Sequence, residues 1–471
     1  MPFDLALAGG DVLLPGMGLK KVNVLVSGGK IAGFCQADAH VDVKEIVRIP
    51  GLTVLPGAID PHVHLGQDIT FPKKPEDVTK ESAAAAGGGI TTFLVFFMSP
   101  EAYENTFNDT FKLMEENSLT DFGIHFCACT TEQMANIPKY VKELGVSSFK
   151  FFMNFRGEEG KRLGLPGNDD GFLYKLLQTS RETGSIICPH AENIELIWIL
   201  REHARTLDKP PLEIWYECAP PFVEAEALQR VAYLAKVTGV PFYAVHVSAS
   251  EPLNALTMLR ERGTRIYIET CPHYLTHGID SNVGVLGKVN PPLRTSTDRE
   301  VLWEAIKAGT IDTVGSDHVP RVKSAKAGDI WKASAGSPGM ETLLPILISE
   351  GYTKRQIPLQ RIVDMVSIAP ARIFGLYPQK GMTSVGCDAD FAIVDLSAKD
   401  KIKAEDLHSG AGYSIYEGWE VFCRVVHTLV RGIFVKRDGD VMPLWGHGKY
   451  YNRHYSGIRE EGNYESETAL G

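Results

Sequence analysis

The chain has 471 residues, of which 44% are hydrophobic and 23% charged, and its formal net charge is −10. These values are ordinary for a globular protein with room for one large domain and a smaller one. The negative charge balance argues against binding to nucleic acid or to an anionic membrane surface. No continuous apolar stretch reaches the length of about 18 residues that a membrane-spanning helix needs, so we expect no membrane span.

The cysteines and the N-terminus both indicate the compartment. The eight cysteines are scattered and form no framework of the kind found in secreted proteins. The first residues, MPFDLALAGGDVLL, lack the basic region and the cleavage site of a signal peptide. We therefore expect a cytoplasmic protein.

Both ends of the chain contain short strand-like runs. In residues 1–52 they lie at 4–8, 22–27, 30–34 and 45–49, and glycine- and proline-containing turns separate several of them. Similar runs return between residues 375 and 440. We expect 1–52 and 375–440 to form one composite β-sandwich domain, and the polar, aromatic tail 441–471 either to be disordered or to wrap a neighbouring subunit.

Between these ends, apolar runs rich in β-forming residues alternate with amphipathic helical segments such as 107–117, 131–144, 171–183, 224–238 and 252–262. The eight runs are 53–65, 90–96, 122–129, 148–153, 185–190, 242–248, 265–271 and 313–318. Eight buried strands, each followed by a crossover, predict an α/β fold, a (β/α)8 TIM-like barrel over residues 53–374. The alternative, a doubly wound open sheet, needs a glycine-rich phosphate turn after the first strand, and HVHLG is not one.

The first of these runs ends in two histidines one residue apart, His62 and His64. Residues i and i+2 of a strand point to the same face, so both imidazoles can reach one point beyond the strand end. Barrel active sites lie at the carboxyl ends of the strands. Four of the other strands, the fourth, fifth, sixth and eighth, end at or near Lys150, His190, His246 and Asp317.

This set predicts a metal-dependent hydrolase. Histidines suit zinc, and catalytic zinc sites keep a position open for water. Two metals that share one hydroxide polarise a carbonyl and supply the nucleophile together.

Lys150 stands among three phenylalanines, at positions 149, 151 and 152. Such surroundings lower the pKa of the amine and favour its neutral form, which can add carbon dioxide to become a carbamate that bridges two cations. The alternative is a lysine that extends out of the barrel or pairs with an acid. The four histidines favour the carbamate.

The residues also carry a resemblance to a known family. The segments that carry it are 60–64 (DPHVH), 148–153 (SFKFFM), 189–193 (PHAEN), 246–248 (HVS), 269–275 (ETCPHYL), 288–294 (KVNPPLR) and 315–318 (GSDH). The chain thus resembles, over residues 4–440, the cyclic amidohydrolases: D-hydantoinase/dihydropyrimidinase, with allantoinase and dihydroorotase as relatives. The resemblance implies two Zn²⁺ per chain, a cyclic amide, imide or ureide as small-molecule substrate, and a homotetramer.

The resemblance also implies a role for each predicted ligand. His62, His64 and Asp317 would hold the more buried metal, His190 and His246 the more exposed one, and carboxylated Lys150 would bridge them. The bridging hydroxide would attack the ring carbonyl. Asp317 would act as general base and then as acid toward the leaving nitrogen, which requires a pKa near the working range.

The substrate-binding half departs from the family pattern. Phe155 stands where hydantoinases have a tyrosine that stabilises the oxyanion, a donor worth about 10²–10³ in rate. We expect the exposed zinc, Asn154 or Arg156 to replace the tyrosine hydroxyl as the oxyanion donor. The alternative is that Phe155 only packs and the role is lost. Asn290 occupies a serine position of hydantoinases, and His273 is either a further residue of the site rim or a structural histidine.

Three other functions stay open. Allantoinase is one. Dihydroorotase is another, although Gly66 replaces the arginine that holds its substrate's carboxylate. The third is a different amidohydrolase chemistry, such as phosphotriester or acyclic amide cleavage. Besides these activities stands a non-catalytic scaffold like the dihydropyrimidinase-related proteins. A scaffold would have lost ligands, whereas every ligand is present here.

Overall fold

A computed structural model describes residues 2–453. Its centre is a barrel of eight parallel strands that pair in chain order. The strands are Ala58–Val63, Ile90–Phe97, Asp121–Cys127, Ser148–Phe152, Ile186–His190, Phe242–Ala244, Ile266–Thr270 and Thr313–Val314. The first and last strands meet through a bridge between Val63 and His318, where the His64 N–H donates to the His318 carbonyl at 2.8 Å. The predicted (β/α)8 barrel is confirmed.

The helices cover the outside of the barrel, so its strands are buried on both faces and read as continuous apolar runs. The helices are Pro75–Gly87, Phe107–Asn117, Thr131–Ala135, Ile137–Leu144, Gly157–Arg162, Asp170–Thr183, Ile194–Ala204, Pro211–Cys218, Pro221–Thr238, Ser250–Glu261, Pro272–Thr276, Ser296–Ala308, Leu343–Leu347, the π-helix Ile348–Lys354, Leu359–Asp364 and Ile368–Ile373. The segment 131–144, expected to be one helix, is two. A new helix begins at Ile137 because Pro138 lacks an N–H and fits only the first turn.

Strands from both chain ends form two further sheets. One sheet contains, in spatial order, Lys30–Gln36, Val22–Ser27, Phe3–Ala8 and Val43–Arg48. The other contains Asp440–Val441, Ile433–Arg437, Arg424–Val430, Phe391–Asp395, Thr53–Pro56, Asp11–Leu14 and Gly18–Lys20. A small ribbon pairs Asp400–Lys401 with Glu420–Val421.

The boundary between these sheets and the barrel lies later than residue 52, where the sequence placed it. Thr53–Pro56 pairs with Phe391–Asp395 in the seven-stranded sheet, and the barrel begins at Ala58. The run 53–65 is apolar throughout because both environments are buried, so composition does not mark the change. Gly57 stands at the change from one sheet to the other. Only a residue without a side chain fits there, since a Cβ would lie 2.2 Å from the Thr91 hydroxyl oxygen.

The beginning of the tail packs on its own barrel, contrary to the two expectations for it. Phe122 donates its N–H to the Lys449 carbonyl at 3.0 Å, and Tyr451 donates to the Phe122 carbonyl at 2.9 Å. Arg453 is fully buried and donates to the Ser148 hydroxyl at 3.0 Å. The expectation for 454–471 lies outside the described residues. Between residues 2 and 453, no helix has both the length and the apolarity needed to cross a bilayer.

A buried lysine ties the barrel to the seven-stranded sheet. The Lys380 ammonium lies 2.7 Å from Asp121 in the third barrel strand, 2.5 Å from Asp390 and 3.2 Å from Asp388. These carboxylates form a cluster of the kind that can bind a metal ion. Lys380 already supplies their cation, so the cluster is structural.

Candidate active site

Five of the six predicted ligands line one cavity at the carboxyl ends of the strands, and the sixth, His62, contacts Asp317 and Lys150 of this lining. His62 lies in the first strand, Lys150 in the fourth, and His190 ends the fifth. His64, His246 and Asp317 lie in the turns that follow the first, sixth and eighth strands. The cavity has a volume of about 80 Å³. Its lining residues are His64, Ile69, Lys150, Phe152, Asn154, Phe155, His190, His246, Asn290, Asp317, Val319, Ala335 and Gly336.

Asp317 and the first two histidines form one group whose ligand atoms all lie within 4.8 Å of one another. Asp317 Oδ1 is 3.2 Å from His62 Nε2 and 3.6 Å from His64 Nε2. Burial raises the pKa of Asp317 to about 7, an effect that the nearby Lys150 reduces.

The other two histidines face each other across the mouth of the barrel. His190 Nδ1 lies 2.9 Å from His246 Nε2. Burial lowers the pKa of both rings, and that of His62 and His64 as well. All four imidazoles are therefore neutral near pH 7 and keep a lone pair for a ligand.

Glu269, the first residue of the segment ETCPHYL, holds two of these histidines. Its Oε1 accepts the Nδ1–H of His62 at 2.7 Å and the backbone N–H of His246 at 2.8 Å. The remaining oxygen accepts the Tyr243 hydroxyl at 2.8 Å. A carboxylate at Nδ1 directs the lone pair of His62 Nε2 into the site, as in many zinc centres.

Glu192 does the same for His190, and sequence reasoning missed it. Its Oε2 lies 2.6 Å from His190 Nε2, so that nitrogen donates and Nδ1 keeps the lone pair. The spacing His-x-Glu in the segment PHAEN is the signal that could have indicated this pair, because residues i and i+2 of an extended chain share a face.

Lys150 is buried, with 1% of its surface exposed. Its Nζ lies 3.2 Å from His62 Nε2 and 4.6 Å from the centre of the Phe96 ring. It forms no salt bridge with any residue from 2 to 453, and burial lowers the pKa of its amine. Nearby Asp317 and Glu269 oppose this lowering of the pKa without forming a salt bridge with Lys150. The buried environment fits the neutral amine that carbamate formation requires and does not fit a side chain that extends into solvent.

Two of the ligands are held in a strained backbone conformation. His246 has φ 42° and Asp317 has φ 46°, in the left-handed region that side chains other than glycine's rarely adopt. Such strain costs on the order of 1–3 kcal/mol per residue and persists only where surrounding contacts impose it. The bond from the His246 N–H to Glu269 is one such contact.

Three of the four predicted substrate-binding residues lie at the cavity. Asn154, Phe155 and Asn290 line the cavity, and Phe155 stacks on Phe152 with ring centres 4.3 Å apart. His273 is buried but is not among the residues that line the cavity, and burial lowers its pKa to about 3. The second candidate for the oxyanion contact, Arg156, instead forms a salt bridge with Glu195 at 2.6 Å.

The residues present fit a pair of divalent cations. His62 Nε2 and His64 Nε2 converge on the Asp317 carboxylate, and His190 Nδ1 faces His246 Nε2. The donor set comprises neutral imidazoles, a carboxylate and an amine without an acid partner, which suits zinc.

Comparison with known proteins identifies the family. The model of the amidohydrolase family matches residues 53–435. The chain belongs to the amidohydrolase family.

Two curated relatives of this amidohydrolase match nearly its whole length. A D-hydantoinase of Geobacillus stearothermophilus is 33% identical over 450 residues, which are 92% of this chain and 93% of the relative. An allantoinase of Deinococcus radiodurans is 34% identical over 450 residues, or 93% and 97% of the two chains.

Solved structures agree. A crystal structure of D-hydantoinase superposes with a TM-score of 0.88 at 31% identity and covers 96% of this chain and 99% of that one. The L-hydantoinase (dihydropyrimidinase) of Arthrobacter aurescens gives a TM-score of 0.87 at 30% identity, with 95% and 99% covered. The resemblance to cyclic amidohydrolases is thus confirmed, and with it the prediction of a metal-dependent hydrolase of cyclic amides.

Proposed function

We propose that this amidohydrolase opens hydantoin- or dihydropyrimidine-like rings with two zinc ions bridged by carboxylated Lys150. The observation that carries the proposal is the buried, unpaired Lys150 between the two groups of histidines. His62, His64 and Asp317 would hold the more buried ion, and His190 and His246 the more exposed one. When bound, the two ions would polarise the ring carbonyl and activate a shared water.

The protein's own groups supply the remaining steps. Asp317 lies between His62 and the open cavity, so its carboxylate is placed to take a proton from the attacking water and return it to the leaving nitrogen. Phe152 and Phe155 form an apolar wall that excludes bulk water and strengthens the electrostatic interactions inside the cavity.

Asn154 is the residue best placed to replace the missing tyrosine hydroxyl. Its side chain lies 3.0 Å from His190 Nε2, but that nitrogen donates to Glu192 and has no lone pair for a second donor. As placed, Asn154 Nδ2 points at this nitrogen, and Oδ1 is buried without a hydrogen-bond partner in the described part of the chain. Rotating the carboxamide would remove the contact between two donors and leave the NH2 group free to pair with the substrate. A buried amide N–H at this position suits an oxyanion.

Gly66 favours a substrate ring that carries no carboxylate at this position, and it therefore disfavours dihydroorotate as the substrate. It has φ 80°, and a Cβ there would lie 2.6 Å from the Phe71 carbonyl oxygen. The turn leaves no room for the arginine of dihydroorotases. Allantoinase remains the second candidate, because the Deinococcus allantoinase matches the chain as well as the hydantoinase does.

We further propose that the protein is a cytoplasmic homotetramer. The eight cysteines are all free, which suits a reducing compartment. The outer helices expose several large apolar side chains, of the kind that subunit contacts cover: Ile199, Tyr233, Val237 and Met258. Light scattering of the purified protein tests the assembly, and a monomer mass would contradict it.

A substrate panel and a Lys150→Ala variant test the proposal. Zinc-loaded protein should hydrolyse at least one of hydantoin, dihydrouracil, allantoin and succinimide. If metal-free protein is reloaded with zinc, activity should depend on added bicarbonate, and Lys150→Ala should bind less than two zinc ions with or without it. Full zinc content and activity in Lys150→Ala would contradict the bridge, and an inactive zinc-loaded wild type would contradict the function.

A further inference from the structure

We propose that Trp215 positions Asn290 so that only the NH2 group of its carboxamide faces the cavity, and that Asn290 thereby recognises a hydrogen-bond acceptor of the substrate. This inference rests on the proposed function. It assigns Trp215, which lies outside the lining of the cavity, a part in specificity, and it favours rings with a second carbonyl besides the one that is attacked.

The hydrogen bonds of Trp215 determine the orientation of the amide. Its indole Nε1 lies 3.1 Å from Asn290 Oδ1 and 3.0 Å from the Val289 carbonyl oxygen. An indole N–H donates and cannot accept, so the carboxamide atom beside it must be the oxygen. A rotated amide would place two donors against each other.

The indole itself is fixed. The Lys288 ammonium lies 4.0 Å from the centre of the Trp215 ring and donates to the carbonyls of Ile330 and Ala333 at 2.7 and 2.6 Å. On another side Trp331 packs edge-on at 6.3 Å. A cation over the face and a ring at the edge both stabilise this placement.

Lys288 also links Trp215 to the wall of the cavity. The Lys288 carbonyl accepts the N–H of Gly336, which lines the cavity together with Asn290. Asn290 thus sits on a support built from two loops and one helix, rather than on a free loop. A donor held in this way loses little rotational freedom when the substrate binds.

The chemistry of the substrate follows from the exposed donor. An NH2 group facing the cavity pairs with a carbonyl oxygen and leaves a substrate N–H at the same place unpaired. Cyclic imides and ureides carry a second carbonyl beside the cleaved amide, whereas a simple lactam does not. A donor that the bound substrate covers without pairing is costly, so lactams should be poor substrates.

The test combines protein variants with a one-atom change in the substrate. Wild type, Trp215→Phe, Asn290→Ala and the double variant are assayed with hydantoin and with 2-thiohydantoin, whose sulfur is a weaker acceptor. Trp198→Phe is the matched control, because its indole N–H donates to Glu159, a residue that does not line the cavity. Dihydrouracil and its 2-thio analogue serve if the substrate panel favours the six-membered ring.

Trp215→Phe should raise KM for hydantoin about three- to tenfold with little change in kcat, as expected for one lost hydrogen bond. Adding it to Asn290→Ala should change nothing further, and the preference for oxygen over sulfur should disappear in Asn290→Ala. Trp198→Phe should match wild type. Additive effects of the Trp215 and Asn290 changes, or an unchanged oxygen preference in Asn290→Ala, would overturn the inference. An inactive wild type would instead overturn the proposed function.

Discussion

Above pH 7, replacing Glu269 by glutamine removes one negative charge behind two predicted metal ligands and changes the shape of the side chain least. The amide oxygen can still accept from the His62 ring and the His246 backbone, as Glu269 Oε1 does now. The amide nitrogen would face the Tyr243 hydroxyl, which can turn its hydrogen toward Thr313, 2.6 Å away. The substitution therefore isolates the electrostatic contribution of Glu269.

The expected effect is a loss of zinc affinity. Carboxylates that orient metal-binding histidines typically contribute 10- to 100-fold in metal affinity or activity. Glu269 is fully buried, so solvent does not screen its charge, and the loss should lie near the upper end of that range. A factor of about 100 corresponds to about 2.7 kcal/mol of binding free energy.

Competition with a fluorescent zinc chelator measures the affinity, and the steady-state kcat of zinc-saturated protein shows whether activity falls in parallel. Glu224→Gln is the matched control. Glu224 is equally buried, and burial raises the pKa of both carboxyls to about 7. Glu224 binds Arg294 and Ser248, and none of the predicted ligands. Unchanged zinc affinity in Glu269→Gln, or an equal loss in Glu224→Gln, would refute the reasoning.

Three further predictions concern stability and rate. Lys380→Met removes the cation that three buried carboxylates share and should lower the free energy of unfolding by about 3–5 kcal/mol, whereas Lys44→Met, at an exposed pair with Asp4, should change it little. Burial lowers the pKa of Lys326 to about 7, so the folded state disfavours its charge and wild-type stability should rise from pH 7 to pH 10; Lys326→Met should remove that rise. Asn154→Ala should lower kcat about 10²-fold, and adding Phe155→Tyr should restore part of it.

Urea unfolding at fixed zinc concentration tests the first two predictions, and steady-state kinetics tests the third. Equal destabilisation by the Lys380 and Lys44 changes would show that the buried cluster contributes no more than a surface pair. A pH profile of stability that is the same in Lys326→Met and wild type would exclude Lys326 as its source. Wild-type kcat in Asn154→Ala would place the oxyanion donor elsewhere.

The sequence predicted the barrel well because a buried parallel strand has a local signature. Its residues are apolar on both faces, and a helix of recognisable period follows. The element ends were less predictable. His246 and Asp317 lie beyond short strands of three and two residues, in left-handed turns, because tertiary contacts rather than local propensity end those strands.

The six candidate ligands could be selected from the sequence because metal chemistry restricts the residue types. The residues that orient them were not, because a carboxylate behind a histidine has no unique spacing. Glu269 is 207 positions from His62 in the chain and only 2.7 Å from it in space. Trp215 and Asn290, 75 positions apart, meet for the same reason.

The sequence by itself thus determined the fold class, the six predicted metal ligands and the departures at Phe155 and Gly66. Only the tertiary structure decided that residues 53–56 belong to the seven-stranded sheet and that the tail up to Arg453 covers its own barrel. It also decided which groups orient the predicted ligands. Residue type and short-range spacing are local properties that a chain carries unfolded. Hydrogen bonds between distant segments exist only once packing has placed both partners.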